Sequence, residues 1–305
     1  MAVDRRSLLK TLAGTAVAAA AAGGTALAAT GRKKPPAEAV GLLYDATRCI
    51  GCKACVVACR EANNLSADAG PFPDKIYQAP IDLNDQTKNI IKLYKDAGTR
   101  SYMKVQCMHC VDPSCAAACM LGALSKDKLG IVSWEGSRCV GCRYCQMACP
   151  FNIPKYEWHA RNPKIVKCEL CRHLLAKGGI PACVKVCPRE AVIFGKREDL
   201  LADAKKRIAE NPGRYIPKVY GELDGGGTQV LYLSAVPFEK LGLPDLGDAP
   251  GPEAARIVQH AIYKGFIAPA ALYAILGAVV FRNRRRGGTG EPPVEDAGEK
   301  HEGRS

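Results

Sequence analysis

Sixteen cysteines in a chain of 305 residues fall into four groups of four. The third group, Cys139, Cys142, Cys145 and Cys149 followed by Pro150, has the spacing CxxCxxCxxxCP, the run that holds a 4Fe-4S cluster. The first group, Cys49, Cys52, Cys55 and Cys59, repeats that spacing. The second, Cys107, Cys110, Cys115 and Cys119, reads CxxCxxxxCxxxC, and the fourth joins Cys168 and Cys171 to Cys183 and Cys187. A cubane needs one thiolate on each of four irons, and a CxxCxxC loop curls so that three sulfurs converge on three corners. With no cysteine left over, the spacing predicts four [4Fe-4S] clusters and makes all sixteen cysteines iron ligands. In two-cluster ferredoxins the fourth cysteine of a group serves the neighbouring cluster, which ties two halves together and sets their clusters close enough for rapid electron hopping.

Zinc competes for CxxC pairs, but tetrahedral zinc asks for two pairs, and three of the groups offer a third and fourth cysteine at spacings it would not use. The fourth group suits zinc best, because its CxxC and CxxxC are separated by eleven residues. His109, inside Cys107-Met108-His109-Cys110, reads as a loop residue, since cysteines already fill the sites. There is no nucleophile motif and no paired acid and base, so the residues offer conduction without catalysis.

The formal charge of +13 would suit a nucleic-acid binder. It counts every cysteine as neutral, however. An oxidised cubane with four thiolates carries about −2, so four of them bring the sum to about +5, and the basic excess becomes largely counter-charge. Lys53, Arg60, Lys104, Arg138, Arg143, Lys167, Arg172, Lys185 and Arg189 each lie within three residues of a cysteine, where they can shift cluster potentials. Nucleic acid is not an expected partner.

The elements that must position these groups are short. Gly41 to Tyr44, Ala123 to Ser125, Ile131 to Trp134 and Ala191 to Phe194 are candidate strands, the middle two joined by a charged, Gly-ended connection of hairpin length. Short helices are expected to open at Ala116 and Gln146, with the last cysteine of each group on the first turn. Glu61 to Gln106 and Phe151 to Lys167 are insertions, the first read as a partner-facing loop. Lys196 to Asn211 sets Leu200, Leu201, Ala204 and Ile208 at helical intervals and stops at Asn211-Pro212-Gly213. Gly225-Gly226-Gly227-Thr228 has no strand before it or helix after it, as a phosphate loop would need, and reads as a turn before a strand at Gln229 to Leu233.

The two ends address the chain. Asp4-Arg5-Arg6-Ser7-Leu8-Leu9-Lys10, an uncharged run and Ala26-Leu27-Ala28 have the form of a twin-arginine export signal, a route that carries a folded, cofactor-loaded protein. Export of the folded chain, with the triplet spacing, also argues against a disulfide framework. Gly265 to Phe281 carries no charge and is extended backwards by Ile257 to Tyr263; it is followed by Arg282-Asn283-Arg284-Arg285-Arg286, which puts the C-terminus in the cytoplasm by the positive-inside rule.

Cys49-Ile50-Gly51-Cys52-Lys53-Ala54-Cys55, Gln106-Cys107-Met108-His109-Cys110-Val111-Asp112-Pro113, Gly141-Cys142-Arg143-Tyr144-Cys145 with Cys149-Pro150-Phe151-Asn152-Ile153-Pro154-Lys155-Tyr156, and Lys167-Cys168-Glu169-Leu170-Cys171 resemble the four-cluster electron-transfer subunits of molybdenum oxidoreductases and membrane hydrogenases. With the export signal, the Gly225 to Val230 segment, the stretches around Gln259-His260 and Tyr263-Lys264-Gly265 and a single C-terminal span, the resemblance is to the HybA family, iron-sulfur subunits of membrane-bound nickel-iron uptake hydrogenases. It implies an α+β fold of tandem bacterial-type 2[4Fe-4S] ferredoxin-like units with loop insertions, plus one C-terminal transmembrane helix. The implied layout is a signal at 1–28, a four-cluster domain at 40–196, a helix and strand extension at 197–256, a membrane anchor at 257–281 and a disordered tail at 282–305.

The same resemblance implies the ligand sets: Cys49, Cys52, Cys55 and Cys187 for one cluster; Cys168, Cys171, Cys183 and Cys59 for its partner; Cys107, Cys110, Cys115 and Cys149 for a third; Cys139, Cys142, Cys145 and Cys119 for the fourth. Met120 and Arg60 stand where a proline often follows the fourth cysteine. The implied partners are a hydrogenase small subunit and an integral membrane quinone-reducing subunit, at the periplasmic face of the inner membrane. The same-class alternative is the beta subunit of a periplasmic formate dehydrogenase, and the different-class alternative a zinc-stabilised binding module.

Overall fold

A computed structural model describes residues 33–66, 82–96, 98–160, 163–251 and 267–286. The export signal, the Gln259-His260 and Tyr263-Lys264-Gly265 stretches, the first ten residues of the expected anchor and all of the tail beyond 286 lie outside them. Two compact units divide the chain, residues 1–257 and 258–305.

In the first unit, β1 (Val40–Asp45) is the middle strand of a three-stranded sheet, antiparallel to β8 (Val192–Lys196) and parallel to β9 (Val230–Leu233). The register pairs Leu42 with Val230, Leu43 with Leu231 and Tyr44 with Tyr232. Because side chains alternate across a strand, this register sends two sets of residues to opposite faces. Leu42, Tyr44, Val230 and Tyr232 enter a core that also holds Cys107, Cys168 and Cys183. Leu43, Leu231 and Leu233 meet Leu200 and Ala204 of α6 (Arg197–Glu210) on the other face. The helix expected at 196–211 and the strand after the glycine turn are both present.

The cysteine groups feed short helices: α1 (Ala54–Ala62), α2 (Ser114–Ala117), α3 (Tyr144–Met147), α4 (Arg172–Leu175) and α5 (Ala182–Lys185). Helix α1 lies against α5, and α2 against α3. The expected openings at Ala116 and Gln146 are corrected: both helices begin two residues earlier, so Cys115 and Cys145 sit in the first turn, and Cys119 and Cys149 lie beyond the end. The physical reason is the loop before each helix, where Pro113 and left-handed Arg143 (φ 65°) cap the N-terminus ahead of the expected residue. Helix α1 runs longer because Arg60 and Glu61 continue it.

Strands β4 (Leu124–Lys126) and β5 (Val132–Trp134) form the expected hairpin, with Leu124 opposite Trp134. Its turn is closed by Asp127, which accepts from the Gly130 and Ile131 backbone N–H groups at 3.1 and 2.8 Å through its carbonyl and Oδ1. The insertion at 61–106 is not a loop throughout. It contains a hairpin of β2 (Asn89–Asp96) and β3 (Thr99–Gln106) in register over all eight residues of each strand. Two β-rich runs separated by Ala97-Gly98 were the signal for it. The second insertion carries a two-residue pairing of β6 (Lys155–Tyr156) with β7 (Ile165–Val166).

In the second unit, α7 (Ile267–Arg286) is a single helix. Among the described residues no helix is long and apolar enough to cross a membrane. Its uncharged part, Ile267 to Phe281, spans about 22 Å at 1.5 Å per residue, less than the roughly 30 Å of a bilayer core.

Candidate functional site

The loops that begin the first and third groups share one backbone conformation. Gly51 (φ 71°) and Lys53 (φ 60°) in the first are matched by Gly141 (φ 70°) and Arg143 (φ 65°) in the third. Alternating left-handed residues curl the chain and turn successive N–H groups inward, the geometry of an anion-binding nest. Accordingly, Gly51 N–H donates to Cys49 Sγ at 3.4 Å, and Leu170 N–H to Cys168 Sγ at 3.4 Å. Gly51 sits against the Tyr102 ring, which leaves no room for a side chain there.

The fourth cysteines have their own shared contact. Ala123 N–H donates to Cys119 Sγ at 3.2 Å, Ile153 N–H to Cys149 Sγ at 3.5 Å and Ala191 N–H to Cys187 Sγ at 3.3 Å, each four residues on. Cys59 is the exception because α1 continues past it, and there the side chain of Asn63 supplies the donor at 3.7 Å. The departure at Arg60 therefore changes the source of the donor and keeps the donor itself. Arg60 is buried and donates to Thr87 Oγ1 at 2.8 Å.

The thiols assemble across the groups. Burial pushes the Cys55 thiol up, with the sulfurs of Cys49, Cys52 and Cys187 adding to it. Burial raises Cys183, helped by Cys59, Cys55 and Cys171, and raises Cys168, helped by Cys107, Cys183 and Cys171. Cys110 is raised by burial and then by Cys107, Cys149 and Cys115; Cys145 by burial and then by Cys119, Cys142 and Cys139. The sulfurs that act on one another thus come from different groups, as ligand sharing between groups requires. Charge coupling also links Cys55 with Cys183, Cys168 with Cys107, and Cys115 with Cys145. Taken in the ligand sets that the family resemblance implies, these couplings connect in a row the Cys49 set, the Cys59 set, the Cys107 set and the Cys139 set. Cys52 and Cys142, at the two ends of this row, are the exposed cysteines.

All sixteen cysteines are free thiols. A small pocket, partly open to solvent, is walled by Cys49, Cys52, Cys55 and Cys187 together with Tyr44 and Lys104. Among the described residues no three His, Cys, Asp or Glu side chains converge closely enough to ligate one metal ion. The donor set is all soft sulfur, the choice for iron-sulfur chemistry. Buried mutually repelling thiols become thiolates only when a cationic core compensates them, which a cubane would do. The residues fit the group.

Several side chains beside the sulfurs were not singled out by spacing. Tyr44 OH donates to the Tyr102 carbonyl at 2.7 Å close to Cys49, and Tyr156 OH stands against Cys145. Both tyrosines lie in strands, and only their register reveals the contact. His109 is fully buried with φ 48°, and its Nδ1 accepts from Val132 N–H at 3.0 Å. Nε2 therefore carries its proton and has no protein partner, as expected of a donor facing an acceptor that is not polypeptide. Burial, followed by Lys167 and Lys126, pushes His109 well below the usual histidine range and keeps it neutral. Lys126 donates to the carbonyls of Cys110 and Val111 at 2.8 and 3.0 Å, and burial lowers it to about 8. Lys167, also buried, donates to the carbonyls of Val132 and Cys168. The Gly225-Gly226-Gly227-Thr228 turn earns its glycines here: Gly226 and Gly227 have φ of 86° and 91°, and Gly227 C=O accepts from Val111 N–H at 2.8 Å, bracing the loop of the second group.

Residues 99–197 match a family described as a 4Fe-4S dicluster domain. The hydrogenase-2 operon protein HybA of Escherichia coli O157:H7 is 38% identical over an alignment covering 98% of this chain and 100% of that one. The chain belongs to the HybA family. The HybA protein of Shigella flexneri matches to the same extent. The nitrate-inducible formate dehydrogenase iron-sulfur subunit of Escherichia coli K12 is 36% identical over 67% of this chain and 73% of its own. Similarity to the HybA proteins thus runs through the terminal regions, whereas the formate dehydrogenase match covers a smaller share of both chains.

Proposed function

We propose that the chain carries four [4Fe-4S] clusters, held by the four quartets, and relays electrons from a periplasmic nickel-iron hydrogenase to an integral membrane subunit that reduces quinone. It is an iron-sulfur electron-transfer subunit of a hydrogenase, with no catalytic residues of its own. The observation that supports this reading is that sulfurs from different cysteine groups lie close enough to act on one another, in a chain of the HybA family. Bound clusters supply reversible one-electron chemistry.

The polypeptide does the rest. The left-handed loops aim three sulfurs of each triplet inward, and the paired helices α1 with α5 and α2 with α3 deliver the fourth from a neighbouring group. Tyr156 and the backbone donors would offset thiolate charge. The hydrophobic core that takes in Cys107, Cys168 and Cys183 excludes water from the middle of the row. Cys52 and Cys142 bring the two ends to the surface, where electrons would enter and leave.

The twin-arginine sequence and the 257–281 stretch support a location on the periplasmic face of the inner membrane, anchored by one span with the C-terminus in the cytoplasm. The neighbours expected there are the hydrogenase small subunit and the quinone-reducing subunit. Purification of the native complex from membranes tests the assignment: hydrogenase subunits should co-purify. Recovery of a molybdenum formate dehydrogenase in their place would favour the alternative that the 36% relative suggests.

A further inference from the structure

Lys104 lies on β3, three residues before Cys107, and is fully buried. Its Nζ donates to Asn89 Oδ1 on β2 at 2.7 Å, a neutral partner. Among the ion pairs of the described residues none engages it. The side chain helps wall the cavity bounded by Cys49, Cys52, Cys55 and Cys187. Its charge also acts on Cys59, Cys168 and Cys183 of the next quartet. A buried charge without a counter-ion costs several kcal/mol, and the anionic cluster that Cys49, Cys52, Cys55 and Cys187 would hold lies in the pocket that Lys104 lines. Lys167, another buried cation close to cysteines in sequence, bonds to backbone carbonyls and acts on Cys115 and Cys149 of a different set.

We propose that Lys104 is a positioning residue for electron transfer, a fixed positive charge set between the Cys49 quartet and the Cys59 quartet that raises the reduction potentials of both clusters together. The proposal rests on the four-cluster reading above. Each cluster becomes more negative when it accepts an electron, and a nearby cation in a medium of low dielectric stabilises the reduced form more than the oxidised one. One charge shared by two centres keeps their potentials in step, so that electrons pass between them without a thermodynamic trap. Asn89, which also donates to the Cys55 carbonyl at 3.3 Å, fixes the ammonium relative to the first triplet loop.

The test is a redox titration of the full-length holo-chain followed by electron paramagnetic resonance, with iron and sulfide measured on the same samples. Lys104→Met keeps the unbranched shape and most of the length of the side chain and removes its charge. Two of the four midpoints should fall, each by at least a tenfold change in the reduction equilibrium, about 59 mV for one electron, while the other two stay in place. Lys104→Arg should restore both. Full cluster content with all four midpoints unmoved, or a fall shared equally by all four, would overturn the proposal while leaving the four-cluster reading intact. Asn89→Asp, which sets a carboxylate against the ammonium and neutralises it in place, should lower the same two midpoints; it decides the matter if Lys104→Met does not retain its clusters. Wild-type chain without iron contradicts the four-cluster reading and this proposal with it.

Discussion

Tyr156 sets its hydroxyl oxygen 2.6 Å from Cys145 Sγ, in the core that closes over the third cysteine group. Burial and the adjacent sulfur raise the tyrosine above its ordinary range, so the phenol keeps its proton and would donate it to Cys145 once that sulfur is a cluster thiolate. A hydrogen bond to a charged acceptor contributes about 1.5–3 kcal/mol, and it is stronger when the acceptor is more negative. Tyr156→Phe should therefore lower the midpoint of the cluster held by Cys139, Cys142, Cys145 and Cys119 by some tens of millivolts, roughly 59 mV per tenfold change in equilibrium. An unchanged midpoint in a spectroscopic titration would show that the contact is packing alone.

Cys119 follows the second triplet in sequence and stands with Cys145 in space. Cys119→Ser should accordingly damage the cluster of the third group and spare the one held by Cys107, Cys110, Cys115 and Cys149. Iron and sulfide should fall by one cluster, and the lost spectral component should be the one that Tyr156→Phe shifts. Loss of the second group's component would reverse the assignment.

Asp45, at the end of β1, is buried and accepts from Thr47 N–H and Oγ1–H at 3.0 and 2.6 Å and from Tyr215 O–H at 2.9 Å, with Arg207 at 3.3 Å as its ion-pair partner. Removing one partner of a fully buried pair costs about 3–5 kcal/mol. Arg207 is 19% exposed and the other hydrogen bonds persist, so Arg207→Ala should cost about 2 kcal/mol. Thermal unfolding of the holo-chain reads this as a drop of several degrees, with cluster content unaffected.

Gly41 faces the Gln229 backbone carbonyl so closely that a Cβ would overlap its oxygen. Leu42 N–H donates to that same oxygen at 3.1 Å, and this contact aligns β1 with β9. Gly41→Ala should force the strands apart at a cost of about 3 kcal/mol and loosen the sheet that leads into Cys49. Wild-type thermal stability in the variant would contradict the fit.

Replacing Arg5-Arg6 by Lys-Lys should strand a cluster-loaded precursor in the cytoplasm. Fractionation that finds the variant exported at the wild-type level would remove the twin-arginine assignment.

Much of the site was legible because iron-sulfur loops are local. CxxCxxC fixes three sulfurs within one turn of chain, and the strands beside Cys49, Cys119, Cys139 and Cys187 announce themselves by short apolar runs. Where the helices begin was less legible, because left-handed Arg143 and Pro113 set the start and neither advertises it by hydrophobic period. The β2–β3 hairpin lies inside the long insertion between the first two cysteine groups, where no cysteine spacing points to it although its two runs flank a Gly. Lys104 was one of nine cations near cysteines in the sequence, and only burial within that hairpin separates it from surface charges such as Arg138 and Arg189. Tyr44 and Tyr156 depend on strand register, a long-range property that no local pattern encodes.

The central claim is that sixteen cysteinyl sulfurs hold four cubanes. Metal and acid-labile sulfide analysis of anaerobically purified full-length protein, with electron paramagnetic resonance after dithionite reduction, tests it most directly. The account predicts about sixteen iron and sixteen sulfide per chain, four of each per cluster, and the interacting signals of several reduced centres. Stoichiometric zinc with no iron, and no signal on reduction, would contradict it.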